Sequence, residues 1–308
     1  MHESDTMNRI DVRLREGPVL LLDGATGTEI EHRSTRCDLP LWSARALLDC
    51  PEQIEKIHRE YAKAGAEIIT ANTFRTQKRT LKRGENEYPR LGERDRELTS
   101  LAVELARAGA RGHAGKDSKD TWVAGSVAPL EDCYQPDRVP ENEALEREHR
   151  RHAENLAYAG VDLLLIETMN CIREASAAAR AAQATGLPFC VSFVVSSSGR
   201  LLSEESLSQA IDAVAPYLPL GVGMNCLPAS CVDPGLAILK QSGLDFGLHT
   251  NLGVPGSDSE PKYKAETTPD QFARYARDWA GTGASWVGGC CGTTPAHTAA
   301  AYSALGKE

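Results

Sequence analysis

Three hundred and eight residues, 41% hydrophobic and 25% charged, exclude a disordered or fibrous chain and allow one large domain or two small ones around a buried core. Apolar runs such as Leu163 to Ile166 are far shorter than the roughly 20 residues that cross a bilayer. The opening MHESDTMNRIDVRLREG alternates charge without the apolar centre of a secretory signal, so a cytoplasmic location and no membrane partner are expected. A net charge of −9 with no long basic run argues against nucleic acid as a partner.

In chain order, residues 1–16 are expected to be an N-terminal extension and 19–22 the first strand. Pro51 suits a first helical position, and Ile54, Ile57, Tyr61 and Ala64 then share one face until Gly65 stops the helix. A strand at 67–71 follows, and the same alternation continues: helix 90–111, strand 122–126, helix 141–159, strand 161–167, helix 172–185, strand 189–194, helix 204–215. Strand 220–225, helix 234–242, strand 245–250, helix 268–281, strand 285–289 and helix 294–305 complete the chain. Gly65, Gly160, Gly186, Gly243 and Gly283 each separate a helical pattern from an apolar run, as a left-handed helix cap before a buried parallel strand would.

Eight strands alternating with eight helices predict an α/β fold, a single (β/α)₈ barrel over residues 1–308. The loops at about 74–90, 112–121, 127–141 and 251–267 are long enough to cover the C-terminal face. An open doubly wound sheet is disfavoured, because Gly221 and Gly223 lack the third glycine of a dinucleotide fingerprint and lie within a strand pattern.

In a barrel the C-terminal strand ends converge on one face, where reactive groups are found. Those ends carry Asp23 to Thr28, Asn72, Ser126, Glu167, Asn225 with Cys226, Asn251, and Cys290 with Cys291. Of the nine cysteines, Cys37, Cys50, Cys133, Cys171, Cys190 and Cys231 have no partner spacing and read as core filler. Cys226 at the sixth strand end and Cys290 and Cys291 at the eighth point to one mouth. Three thiolates without a fourth protein ligand match a catalytic zinc site with one open position. Gly288, Gly289 and Gly292 would let two adjacent cysteines turn toward one point. Buried small hydrophobes or a vicinal disulfide are the alternatives.

The segments LLDGATGTE at 21–29, ANTF at 71–74, ETM at 167–169, GMNC ending at Cys226 and GGCCGTTPAH at 288–297 together resemble the zinc-dependent homocysteine S-methyltransferases, in the right order over nearly the whole chain. The resemblance implies a (β/α)₈ barrel with zinc held by Cys226, Cys290 and Cys291, homocysteine sulfur in the open position, and Asp23 and Glu167 as acceptors for its ammonium. LWSAR at 41–45 resembles the branch that uses sulfonium donors, S-methylmethionine or S-adenosylmethionine. The implied reaction moves a methyl group from that small cationic donor to homocysteine and forms methionine. Betaine, or a corrinoid-bound methyl as in cobalamin-dependent methionine synthase modules, is the alternative donor, and a zinc-binding scaffold without turnover is the non-enzymatic alternative.

The chemistry is consistent with that resemblance. Only a thiolate attacks carbon well, and coordination to zinc removes the thiol proton. Backbone N–H groups around Gly24, Ala25 and Thr26 are expected to hold the substrate carboxylate, and Asn72 and Asn225 to contact substrate. Trp42, Phe74 and Tyr134 are candidates for stacking on the cationic donor, whereas Trp286, within a strand, reads as core. His249 is the histidine nearest a strand end. Ser126 reads as a loop-satisfying residue, and a thiol redox role lacks the usual two-residue spacer between Cys290 and Cys291.

Overall fold

The computed structural model describes residues 10–33, 36–111, 121–253 and 267–307. Eight parallel strands, β1 (Leu20–Leu21), β2 (Ile68–Ala71), β3 (Trp122–Val127), β4 (Leu163–Met169), β5 (Phe189–Phe193), β6 (Gly221–Pro228), β7 (Phe246–Asn251) and β8 (Trp286–Gly289), pair in the order β1-β8-β7-β6-β5-β4-β3-β2. A parallel bridge between Leu22 and Ile68 joins the two ends of that sheet. The Glu67 N–H donates to the Leu21 carbonyl at 2.8 Å and the Asp23 N–H to the Ile68 carbonyl at 3.0 Å, so β1 meets β2 and the barrel closes. No helix among the described residues is long and apolar enough to cross a membrane.

The expected helices and strands are present to within a few residues. Helix Pro51–Lys63 buries Ile54, Ile57 and Tyr61, the face read from the sequence. The glycines expected to close helices all have positive φ, and Gly160 (78°) and Gly186 (76°) are themselves the C-caps of Asn142–Ala159 and Ile172–Thr185. The helix expected from residue 90 begins at Asp95, after a short 3₁₀ turn at Leu91–Glu93 that follows the left-handed Arg90. Helices Ile10–Glu16, Thr26–His32, Ala46–Asp49 and Lys78–Arg83, seven residues or fewer, carry too little periodicity to be read from sequence. Helices of this length are held by tertiary packing rather than by their own propensity.

Two apolar layers follow from strand alternation. Leu20 and Leu22 face the barrel interior with Ile68, Trp122, Leu163, Leu165 and Trp286, while Leu21, Ile69 and Val123 face the surrounding helices. Trp286 fills the interior at 1% exposure, and a Cβ at Gly247 would lie 2.0 Å from its ring. Ile10 and Leu14 of the helix that precedes β1 join the same interior cluster, so that helix seals one end of the barrel.

At the other end, two of the expected covering loops are tied together. Arg79 pairs with Glu131 at 3.1 Å and with Glu148 at 2.7 Å, and Arg83 pairs with Glu131 at 2.6 Å. This links the 74–90 segment to the 127–141 segment. Most of the other two expected loops, residues 112–120 and 254–266, lies outside the described residues.

Candidate metal centre and substrate pocket

Cys226 sits in β6 where the pairing with β7 shifts register between Asn225 and Pro228. Its φ of 57° is left-handed, a conformation that costs a non-glycine residue energy and turns the side chain out of the strand alternation. β4 has a matching irregularity between Ile166 and Met169, with Thr168 at φ 62°. The two bulges aim Glu167 and Cys226 at the same space.

The loop after β8 delivers the other two thiols. Cys290 N donates to the Thr250 carbonyl at 2.8 Å and Cys291 N to Asn251 Oδ1 at 3.1 Å. Thr293 closes the turn through its Oγ1, which donates to the Cys290 carbonyl at 2.7 Å, and Gly292 has φ 84°. Of the three glycines expected to free the cysteines, Gly292 supplies the left-handed turn. Gly289 serves close packing instead, since a Cβ there would lie 2.3 Å from Thr293 Oγ1.

The result is three sulfurs within 4.8 Å of one another. Cys226 Sγ lies 2.9 Å from Cys290 Sγ and 3.9 Å from Cys291 Sγ, and none of the three forms a disulfide. A tetrahedral zinc site with Zn–S bonds near ~2.3 Å has sulfur–sulfur edges of about 3.8 Å. The Cys226–Cys291 edge fits this; the Cys226–Cys290 edge is shorter and would open on coordination. Contact with the Cys290 and Cys291 sulfurs, and then burial, raise the Cys226 thiol well above its ordinary range. Thiols crowded in this way gain most by releasing their protons to solvent as a divalent cation binds the thiolates. The donor set therefore fits a soft metal with one position left open.

The trio lines a cavity of about 490 Å³ at the C-terminal strand ends. Asp23, Gly24, Ala25, Thr26, Asn72 and Glu167, all expected at the site, line the same cavity. Asp23 accepts hydrogen bonds from Thr70 N at 2.8 Å and Thr70 Oγ1 at 2.9 Å, yet burial wins and pushes its carboxyl up to about 8. Glu167 accepts a hydrogen bond from Ser126 Oγ and is likewise pushed up by burial, to about 7. Two buried carboxyls raised in this way are poised to ionise when a cation arrives. His249 Nε2 lies 3.9 Å from Glu167 Oε2, but burial lowers that imidazole to about 3, so the contact is not an ion pair at neutral pH.

Around Gly24 the turn is held by Tyr61, whose hydroxyl donates to the Ala25 carbonyl at 3.1 Å and the Thr293 carbonyl at 2.9 Å. Ala25 N donates to Thr293 Oγ1 at 3.2 Å. Asn72 Nδ2 donates to the Ser43 carbonyl at 2.9 Å while the residue still faces the cavity. Asn225 is different. It is fully buried, is not part of the cavity wall, and spends both amide atoms on Thr168. The geometry makes it a support for the two bulges rather than part of the cavity wall.

Among the donor-stacking candidates, Trp42, Phe74 and Tyr134 line the cavity and Trp286 lies in the barrel core. Trp42 and Phe74 meet edge to face at 5.7 Å, and a Cβ at Gly27 would lie 2.3 Å from the Trp42 ring. Sequence reasoning missed Thr70, Tyr61, Thr293, Arg75 and Cys133, and underrated Ser126. Cys133, read as filler, is part of the cavity wall. Only its neighbours in space, on other strands, mark it out.

Fold and site together define a barrel enzyme whose reactive face presents a metal-competent thiol cluster beside two buried acids. A family model for homocysteine S-methyltransferase matches residues 20–305, and the chain belongs to that family. It is similar to the homocysteine S-methyltransferase of Escherichia coli K12, with 32% identity over 95% of this chain and 97% of the relative. It is 28% identical to a selenocysteine methyltransferase of Astragalus bisulcatus, over 91% of this chain and 90% of that protein. The metallated form of the homocysteine methyltransferase MmuM from Escherichia coli superposes with a TM-score of 0.79 at 30% identity, covering 94% of this chain and 98% of that one.

Proposed function

We propose that this chain transfers a methyl group from a sulfonium donor, S-methylmethionine or S-adenosylmethionine, to the sulfur of homocysteine and forms methionine. The observation that carries the reading is the convergence of three sulfurs and two proton-holding carboxyls, Asp23 and Glu167, on one cavity. Cys226, Cys290 and Cys291 would hold zinc, which when bound keeps a coordinating thiol deprotonated and nucleophilic at neutral pH.

The protein's own groups do the rest. Asp23 and Glu167 ionise against the homocysteine ammonium, which offsets the cost of their burial. Ser126 and Thr70 fix the two carboxyls in place. The backbone around Gly24, Ala25 and Thr26 faces the substrate carboxylate, and Asn72 lies beside it on the wall. Trp42 and Phe74 offer ring faces and edges to the cationic donor. The new bond forms between the homocysteine sulfur and the methyl carbon as the donor's C–S bond breaks. The donor leaves as a neutral thioether, and the homocysteine thiol proton goes to solvent. Catalysis on this reading is mainly alignment of the two sulfurs with the methyl between them.

Nine cysteines, none of them in a disulfide, support a reducing, cytoplasmic setting. The test is to assay methionine formed from homocysteine with S-methylmethionine, S-adenosylmethionine and betaine, alongside zinc content. The reading expects about one zinc per chain, turnover with a sulfonium donor, and loss of both in Cys290→Ala. Turnover by metal-free protein would reject it.

A further inference from the structure

The cavity wall is rich in acids: Glu31, Glu131 and Asp132 join Asp23 and Glu167. Such a wall attracts a cationic donor but repels any carboxylate the donor carries. Three arginines also reach it, Arg75, Arg83 and Arg138. Arg83 is paired with Glu131, and Arg138 is exposed. Arg75 differs from both. It is partly buried, its Nη1 donates to the Glu131 carbonyl at 3.2 Å, and its Nε is buried without a hydrogen-bond partner. No carboxylate among the described residues forms an ion pair with it: Glu131 and Asp132 are near enough to act on its charge, but the Glu131 carboxylate is bonded to Arg79 and Arg83. Its guanidinium packs on the Phe74 ring, 5.1 Å from the centroid, and Phe74 in turn meets Trp42. Arg75, Cys133 and Cys291 line the same cavity.

An arginine holds its charge under these conditions, and its fork matches a carboxylate. A buried guanidinium with an unpaired N–H and no bonded carboxylate is costly, and an anionic ligand group is the natural way to satisfy it. We infer that Arg75 is a specificity-determining residue that binds the carboxylate of the methyl donor, so the donor is an amino-acid-type cation whose positive centre lies against Trp42 and Phe74. This inference rests on the methyl-transfer reading for the identity of the ligand. The acceptor's carboxylate is assigned elsewhere, to the Gly24–Thr26 turn after β1.

The experiment compares S-methylmethionine with its carboxamide, which has the same size but no negative charge. Direct binding to the zinc-loaded protein by calorimetry and steady-state kinetics, with each substrate varied at saturating concentration of the other, are both measured. Wild-type protein should prefer the carboxylate about 10- to 100-fold, the range expected for hydrogen bonds to a charged group. Arg75→Gln should erase the preference, mostly by raising the dissociation constant and KM for the carboxylate donor, and leave KM for homocysteine unchanged. Arg75→Met, which keeps the apolar stem on Phe74, should do the same and serves if the glutamine variant folds poorly. Equal binding of the two ligands by wild-type protein overturns the inference without any variant. A preference that survives in either variant, or a rise confined to the homocysteine KM, overturns it too. Preferential binding that Arg75 controls, without methyl transfer, would sustain this inference while sinking the catalytic reading.

Discussion

Asn225 grips Thr168 with both ends of its amide: its Oδ1 accepts from the Thr168 N–H at 2.8 Å and its Nδ2 donates to Thr168 Oγ1 at 2.8 Å. The pair ties the β4 bulge to the β6 bulge, one residue away from Glu167 on one side and from Cys226 on the other. Both Thr168 and Cys226 are left-handed, so the clamp holds in place the backbone that aims a carboxyl and a thiol into the cavity. Asn225→Ala would strand a buried N–H, at a cost of about 1–3 kcal/mol. A lower urea midpoint and weaker zinc retention against a chromogenic chelator are expected. Zinc held as tightly as in wild type would show that the clamp does not position Cys226.

The thiol trio lies at the barrel mouth in a small cluster with Val194, apart from the main core. Metal removal should therefore abolish methyl transfer and leave the fold intact. Dialysis against a chelator is expected to leave the far-ultraviolet circular dichroism unchanged. Cys290→Ala should weaken zinc binding by more than about 100-fold, beyond what loss of a supporting residue costs.

Burial places Asp23 at about 8 in the native protein, against 3.8 for an ordinary aspartate. Below about pH 4 both native and unfolded states hold the proton. Between about pH 4 and pH 8 the native state binds more protons than the unfolded one, so stability falls as pH rises, and above that window both are ionised. Glu167, at about 7, adds to the same slope. Substrate-free protein should thus lose a few kcal/mol of unfolding free energy between about pH 5 and pH 8. Asp23→Asn should flatten that dependence in guanidinium titrations; an unchanged slope would mean Asp23 is ionised in the empty pocket.

Gly247 makes room for Trp286 inside the barrel. Gly247→Ala would press a methyl into the indole ring and should cost about 1–3 kcal/mol or more by overpacking. Trp286→Phe in the same chain should recover part of the loss. Thermal unfolding of the two single variants and the double variant measures the coupling directly.

Gly27 plays the same part under Trp42, on the cavity wall rather than in the core. Gly27→Ala should push the indole aside and raise KM for the cationic donor about tenfold, as loss of a cation–π contact predicts. KM for homocysteine should hold steady. A rise in both would place Trp42 at the acceptor side.

How much of this was legible from the amino-acid order varies from element to element. Helix Pro51–Lys63 and strand β4 were readable because burial on one face, or on both, leaves its period in the chain, and Gly65 and Gly160 mark the stops. Helix Thr26–His32 was not, because a seven-residue helix without a side-chain cap writes no period of its own. The doubled cysteines stood out as a motif. Arg75 and Cys133 did not, since an arginine in a polar loop and a lone cysteine look the same wherever they point.

Local order thus determined the alternation of strands and helices that makes a barrel the favoured fold, and which strand ends carry thiols and acids. The tertiary structure alone decided that Asn225 serves the backbone, that Ser126 serves Glu167, and that Ile10 and Leu14 seal the barrel floor. Periodicity records which face of an element is buried, and that is a property of neighbours along the chain. Convergence of side chains depends on register, bulges and closure, which are set by residues far apart in sequence and exist only once the barrel has formed.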